Sequence, residues 1–365
     1  AMLIYVCLSS HGFGHAARQA TVLSALHRLQ PSWRLVVSSL VSADFLKLVC
    51  GAVPVEQRFV GWDVGMIQAD ALGVDQQRTL DSLKVLDTVL PQRLDQEAAW
   101  LAVQNTPVLV VGDIPPAAAV LAERSGAPLV WMGNFGWDDI YQPLGGRFAE
   151  YAAAARAHYQ QGALLLRCPF SLAMHWGLDE QQLGLTVPAL RELPVPLQQH
   201  LEQIQKPLVL VGFGGLGVAI DPALFRDWPN HHFLMPAPVA PHLLANLESE
   251  ANVTLLPDSV RPFDVMPFCE RHLGKPGYST FCEALSQDLG MHVVERDGFA
   301  EASVLMDGLR LFGQHKILSR HAFNQGEWEL DQQLVEAIRP IASTQGAEDA
   351  AKALVSVALK TVQHD

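Results

Sequence analysis

The residues best equipped for chemistry lie in the stretch Leu273–Glu301, LGKPGYSTFCEALSQDLGMHVVERDGFAE. Its pattern predicts a strand ending near Leu273, a turn at Lys275-Pro276-Gly277, a helix opened by Ser279 or Thr280, then a strand Met291–Glu295 and an acidic loop. Pro276 and Gly277 cannot continue a strand ladder, and Ser279 or Thr280 is a natural N-cap. Such a helix start carries partial positive charge and unpaired N–H groups, so it can hold a phosphate. Glu283 falls about one turn into the helix, close enough for its carboxylate to accept hydrogen bonds from a ribose diol on the same ligand. A phosphate cradle with a carboxylate one turn on suits a nucleotide-sugar. The plainer alternative is that Ser279 or Thr280 merely caps the helix and Glu283 is a solvated first-turn acid. Spacing alone leaves both readings open.

Three further clusters could carry chemistry. Gly212–Gly217 matches G-x-G-x-x-G after the apolar run Pro207–Val211, a dinucleotide fingerprint in form. That fingerprint also needs an acid at the end of the next strand, about twenty residues on, and here that strand ends Phe233-Leu234-Met235-Pro236. A nicotinamide or flavin dinucleotide is therefore disfavoured, and glycines such as Gly214 and Gly215 that admit a diphosphate to the backbone fit better. His11 and His15 stand four apart, but His11 sits in a Gly-rich turn with no following Glu, so no metal is expected. His15, at a strand-to-helix turn, could take a proton from an acceptor hydroxyl or simply bond its own loop. Asn134-Phe135-Gly136-Trp137-Asp138-Asp139 follows a strand, at the edge where α/β sheets bind ligands. Aromatic rings beside carboxylates suit sugar faces and hydroxyls, although the same aspartates could cap the next helix. Asp113, at its own strand end, is a second candidate, with a structural role the favoured reading.

The elements that must position these groups alternate along the chain. Met2–Leu8 is a continuous apolar run, as expected of a central parallel strand. A helix from His15 to Leu29, strands at Leu35–Ser38 and Val53–Phe59, a long helix over Gln76–Gln104 and strands at Val108–Val111 and Leu129–Met132 follow. The loop Gly61–Gly73, with Trp62 and Met66, lies near a ligand or partner on this reading. The alternation restarts at Pro207, after a Pro- and Gln-rich stretch Glu192–Lys206 that reads as a linker. Strands His232–Met235, Val253–Leu256, Arg271–Leu273 and Met291–Glu295 continue it, with helices near Ala302–Phe312 and Leu330–Ile338. The economical architecture is α/β, with two Rossmann-like domains facing across a cleft. The boundaries read 2–195 and 206–346, with a terminal helix over 347–363 packing back on the first domain.

Bulk composition narrows the partners. The 365 residues carry a net charge of −13, which argues against nucleic acid or an anionic membrane surface as the main partner. Five cysteines are scattered without CxxC spacing and read as reduced thiols. No apolar run reaches a membrane span, and Met2 leads straight into a strand, so a soluble cytoplasmic protein is expected. Oligomeric state is not legible.

Taken together, His11-Gly-Phe-Gly-His15-Ala-Ala-Arg18, Gly112-Asp-Ile-Pro-Pro116, Asn134-Phe-Gly-Trp-Asp138, Leu273-Gly-Lys-Pro-Gly-Tyr-Ser-Thr280, Glu283 and Phe299-Ala-Glu301 resemble the amino-terminal, glycosyltransferase-like half of plant L-arabinokinases. The chain carries no sugar-kinase domain, so the resemblance does not imply kinase activity. More distantly it is similar to the GT-B transferase that adds N-acetylglucosamine to lipid-linked peptidoglycan precursors. That likeness implies a GT-B fold, with His15 at the reacting centre, Thr280 and Glu283 on phosphates and ribose, residues 298–301 on the donor sugar, and a turn at Ser259–Arg261 facing the base. Retaining GT-B enzymes usually carry an acid eight positions before the ribose glutamate. Lys275 stands there, which favours inversion, and GT-B catalysis needs no bound metal.

The resulting expectation is a glycosyltransferase using a nucleotide-sugar, with UDP as the expected nucleotide, and no cofactor. His15, or Asp138 and Asp139, would act in catalysis. Gly214, Gly215, Arg261, Gly277, Ser279, Thr280, Glu283, Phe299 and Glu301 would hold the donor, and His11, Gly14, Asn134 and Trp137 the acceptor, a small molecule, glycan or lipid. The rival is a catalytically silent GT-B module that binds a sugar or nucleotide. A dinucleotide oxidoreductase is third.

Overall fold

The computed structural model describes residues 1–70, 73–212, 220–237, 239–275, 277–296, 300–341 and 343–363, and of 68–70 and 73 the backbone alone. The first half runs β1 (Leu3–Leu8), α1 (Gly14–Leu29), β2 (Arg34–Ser38), α2 (Ala43–Cys50), β3 (Glu56–Arg58) and a small antiparallel pair, β4 (Gln68–Asp70) with β5 (Gly73–Val74). It continues with α3 (Gln76–Ala102), β6 (Val108–Asp113), α4 (Ala118–Ser125), β7 (Leu129–Gly133), α5 (Trp137–Tyr141), α6 (Arg147–Tyr159), β8 (Leu164–Arg167) and β9 (Glu180–Gln182). The second half begins with α7 (Val195–Gln203), β10 (Leu208–Gly212), β11 (His232–Met235), α8 (Pro241–Glu248), β12 (Val253–Leu255) and α9 (Pro262–Val265). Then come β13 (Arg271–Gly274), α10 (Tyr278–Ser286), β14 (Gly290–Val294), α11 (Ala300–Phe312), β15 (His315–Leu318), α12 (Arg320–Asn324) and α13 (Gly346–Gln363).

Two parallel sheets result, one ordered β3-β2-β1-β6-β7-β8-β9 and the other β12-β11-β10-β13-β14-β15. Their central strands are apolar runs because helices cover both faces; every residue of β1 is buried. In each sheet the order reverses once, between β1 and β6 and between β10 and β13. A crevice opens outside the carboxyl ends of the strands at such a reversal. The two reversals face each other across one cleft, so the residues after β1 meet the residues after β13.

Several local expectations change. The stretch 192–206 is not bare linker, since α7 occupies its middle and buries Leu197 and Leu201. Leu330–Ile338 is not helical: Val335 exchanges both backbone hydrogen bonds with His315, covering the outer edge of β15. An open edge strand gains more from a covering segment than that stretch gains from a helix. The Trp62 indole donates to Ser38 Oγ at 2.7 Å and Met66 is buried, so these two side chains of the Gly61–Gly73 loop belong to the core. Terminal α13 packs on α1. Among the described residues no helix is long and apolar enough to cross a membrane.

Candidate active site in the interdomain cleft

A cleft of about 760 Å³ separates the halves, and residues from both line it. On the first half, β1 delivers the loop that ends at α1. The backbone turns through Gly12 at φ +77° and enters the helix with no side-chain cap. His15 lies in the first turn of α1 and is 6% exposed. Its Nδ1 stands 2.7 Å from Oδ1 of Asp113, the last residue of β6. The β1–β6 pairing creates this contact by placing Leu8 beside Asp113.

Asp113 is the hub of a buried network. It accepts hydrogen bonds from Arg18 Nε at 2.8 Å and Gln19 Nε2 at 2.8 Å, and Arg18 Nη2 closes a bidentate pair. Arg18 Nη1 also donates to Asn134 Oδ1 at 2.8 Å, tying in the loop after β7. Burial pushes the Asp113 carboxyl up, but the charges and hydrogen bonds of Arg18 and His15 outweigh it and hold the group below the usual carboxylate range. Asp113 is thus ionised, which favours the His15 tautomer with its proton on Nδ1 and a lone pair on Nε2.

The opposite wall comes from the second half. Helix α10 starts after Gly277, which is its N-cap, so neither Ser279 nor Thr280 caps it. Both sit instead in the first turn, whose N–H groups have no side-chain cap and carry the positive end of the helix dipole. The Ser279 hydroxyl reaches across and donates to the Gly14 carbonyl at 3.0 Å. The same junction is held by Tyr278, whose hydroxyl donates to the Pro169 carbonyl at 2.6 Å while the Arg18 guanidinium lies 5.4 Å from its ring centre. The uncapped starts of α1 and α10 therefore meet at one point of the cleft.

Glu283 lines the cleft on α10, and burial pushes its carboxyl up to about 8 despite the charge of Arg261. Glu301, in the first turn of α11, is buried and also pushed up, against the pull of His15, Arg296, Arg18 and Lys275. Gly277, Thr280, His11, Gly14 and Asn134 line the cleft as well. Burial, with the charges of His15, Arg296 and Lys275, pushes the His11 imidazole down to about 3. Its ring packs on Gly65, where an added Cβ would come within 2.7 Å of Nδ1.

Other expected site residues lie elsewhere or are otherwise engaged. Asp138 and Asp139 do not line the cleft. Asp138 accepts from the Trp176 indole at 3.0 Å, and Asp139 accepts from the Gly136 and Met174 amides at 2.9 and 3.2 Å. The start of α5 draws Asp139 to the Gly136 amide, while Trp176 and Arg156 engage Asp138, so neither carboxylate faces the cleft. Trp137 is 1% exposed, donates to Asp63 at 2.9 Å and stacks on Tyr141, so it backs the His11 loop. Arg261 lines the cleft, yet its guanidinium is held by Asp264 at 2.6 and 2.8 Å and by the Ala189 carbonyl at 2.8 Å. Gly214, Gly215 and Phe299 lie outside the described residues. Sequence reasoning undervalued Asp113, Arg18, Lys275 and Tyr278; the available signal was Asp113 at a central strand end, the position open α/β sheets use for ligands.

No protein-family model matches the chain. The L-arabinokinase of Arabidopsis thaliana is 28% identical over 349 residues, 88% of this chain and the amino-terminal part of that protein. The chain thus spans 31% of the length of the curated relative it matches. Among solved structures, UGT71G1 of Medicago truncatula, complexed with UDP-glucose, superposes with a TM-score of 0.64 at 12% identity, covering 98% of each chain. A UDP-glucosyltransferase from Polygonum tinctorium capable of glucosylating indoxyl gives 0.60 at 14% identity, covering 98% of this chain and 92% of that one. UGT89C1 of Arabidopsis thaliana, complexed with quercetin, gives 0.60 at 12% identity, with 98% and 90% covered. The architecture of this chain is accordingly GT-B, the fold of UDP-glycosyltransferases, and its sequence resembles the amino-terminal part of L-arabinokinase.

Proposed function

We propose that the chain is a glycosyltransferase that moves a sugar from a UDP-sugar to an acceptor hydroxyl with inversion at the anomeric carbon. The observation that carries this reading is the Ser279–Gly14 hydrogen bond, which joins the N-terminus of α10 to the residue before His15. It sets a diphosphate cradle beside a histidine whose Nδ1 is engaged by a carboxylate. His15 Nε2 takes the proton of the acceptor hydroxyl as its oxygen bonds to the anomeric carbon. The bond from that carbon to the diphosphate oxygen breaks, and UDP leaves with the electron pair. Charge builds on the diphosphate in the transition state, where the first-turn N–H groups of α10 and the Thr280 hydroxyl act on it, while the Ser279 hydroxyl, engaged by Gly14, holds the cradle in place. Glu283 receives the ribose hydroxyls, and Glu301 faces the transferred sugar. Asp113 is a positioning residue that holds the imidazole and offsets the imidazolium charge as it forms. The α10 dipole and the cationic side chains of this wall supply the positive charge, so turnover is proposed to persist in chelator.

Release of UDP from UDP-sugars, alone and with hydroxyl acceptors, tests the reading. His15→Ala is expected to lower turnover about 100-fold or more with UDP affinity unchanged. Full activity of that variant would remove His15 as the base. Tight UDP binding without turnover of any donor would leave a binding module.

A further inference from the structure

Two aromatic residues of the first half line the cleft and take part in none of the steps above. Phe13, next to Gly14, stacks on Phe45 of α2 with ring centres 4.2 Å apart and planes inclined by 26°. Both rings are half-buried, and Leu48 and Val49, one turn further along α2, line the same wall. Diphosphate and sugar hydroxyls gain nothing from such a wall. Apolar surface left open in a cleft is stabilised by a ligand part that covers it.

A closed ring of contacts fixes which part of the ligand this wall serves. At one end Phe13 precedes Gly14, whose carbonyl accepts from Ser279 at the start of α10, 3.0 Å away. At the other end the Arg191 guanidinium donates to the Leu48 and Val49 carbonyls at 2.6 and 3.1 Å. The Arg191 amide donates in turn to Asp264 of α9 at 3.0 Å, and Asp264 also holds Arg261 at 2.6 and 2.8 Å. Helix α9 packs on α10, which closes the ring. Helix α2 therefore runs from the diphosphate cradle to the turn before α9, where Val260 and Pro262 line the cleft. Glu283, assigned to the ribose, lies on the helix that joins both ends. Beyond the ribose of a nucleotide comes its base, a flat ring whose apolar faces gain from aromatic and aliphatic walls. We propose that the first half of the chain helps to hold the nucleotide base, which lodges against the Phe13–Phe45 pair and Leu48 on one side and Val260 and Pro262 on the other. The inference rests on the nucleotide-sugar reading above and names the base subsite of that same cleft.

Photolabelling of the full chain with 5-azido-UDP, with and without excess UDP, tests it. Label that UDP suppresses is expected on residues 11–14 or 43–50 of the first half. Suppressible label confined to the second half would overturn the proposal and leave the glycosyltransferase reading standing. If UDP neither suppresses label nor binds in calorimetry, the nucleotide reading fails and the proposal with it. Phe45→Ala gives a second measure, with UDP expected to bind about tenfold more weakly and inorganic diphosphate changed less than about twofold. Unchanged UDP affinity would assign the aromatic wall to the acceptor instead, and equal weakening of both ligands would assign it to the cradle; either result overturns the proposal. Should Phe45→Ala not fold, the labelling pattern of the unaltered chain still decides.

Discussion

Replacing Asp113 by Asn keeps the shape of the side chain and removes its charge. In the native protein this carboxylate is fully buried and faces His15, two nitrogens of Arg18 and Gln19. Arg18, only 2% exposed, would be left without its counter-charge. Removing one partner of a buried ion pair costs about 3–5 kcal/mol. For a domain of this size each kcal/mol moves the thermal midpoint by roughly 2–4 °C, so a fall of about 10 °C is expected. The pH dependence has a definite sign. The folded carboxyl titrates below its unfolded value, so its contribution is whole above the ordinary carboxylate range and fades as pH falls through it. The gap between Asp113→Asn and the unaltered protein should accordingly narrow in acid. On the functional side, the amide favours the other imidazole tautomer, so donor turnover should drop about 100- to 10,000-fold with UDP affinity unchanged. Thermal scans across pH, UDP calorimetry and a UDP-release assay measure the three quantities. A midpoint shift under about 2 °C would show that Arg18 repartners freely, and undiminished turnover would strip Asp113 of its positioning role.

Other perturbations separate binding from stability. Glu283→Gln should weaken UDP about tenfold if the carboxylate holds the ribose, as read by calorimetry. Because burial raises the Glu283 carboxyl from 4.5 to about 8, its unfavourable ionisation grows across that interval, and the Gln variant should gain relative thermal stability as pH rises through it. Lys275, lowered from 10.5 to about 7, destabilises the fold increasingly as pH falls between those values. Lys275→Met should therefore raise the midpoint of the free protein at neutral pH, and a lowered midpoint would contradict the burial argument. Gly65→Ala adds a Cβ at φ +71° and 2.7 Å from the His11 ring, so a loss of roughly 1–3 kcal/mol is expected in chemical denaturation. An unchanged stability would show that the loop yields without strain.

The alternation of strand and helix was legible because a parallel strand covered on both faces must be apolar throughout, as Leu3–Leu8 is. Long helices such as Gln76–Ala102 and the turn before α10 were equally legible, since they are written in local spacing and in proline and glycine. Helix α6 went unread because its centre, Ala152–Ala155, lacks a contrast between faces. The segment Leu330–Ile338 was misread because its partner, the exposed edge at His315, lies outside any local window. Sequence also marked His15, Ser279, Glu283 and Glu301 as candidates by type and by place after a strand. It could not rank Asp138 and Asp139 against Asp113, because all are acids near strand ends. Pairing of β1 with β6 decided that, bringing together His15 and Asp113 from 98 positions apart, while a helical turn drew Asp139 to its own amides. The sequence by itself thus determined the two α/β halves and the residue types of the cleft. Which groups meet in it was decided by strand order and by the packing of one half on the other, where burial and neighbouring charge, rather than local spacing, set each group's protonation and reach.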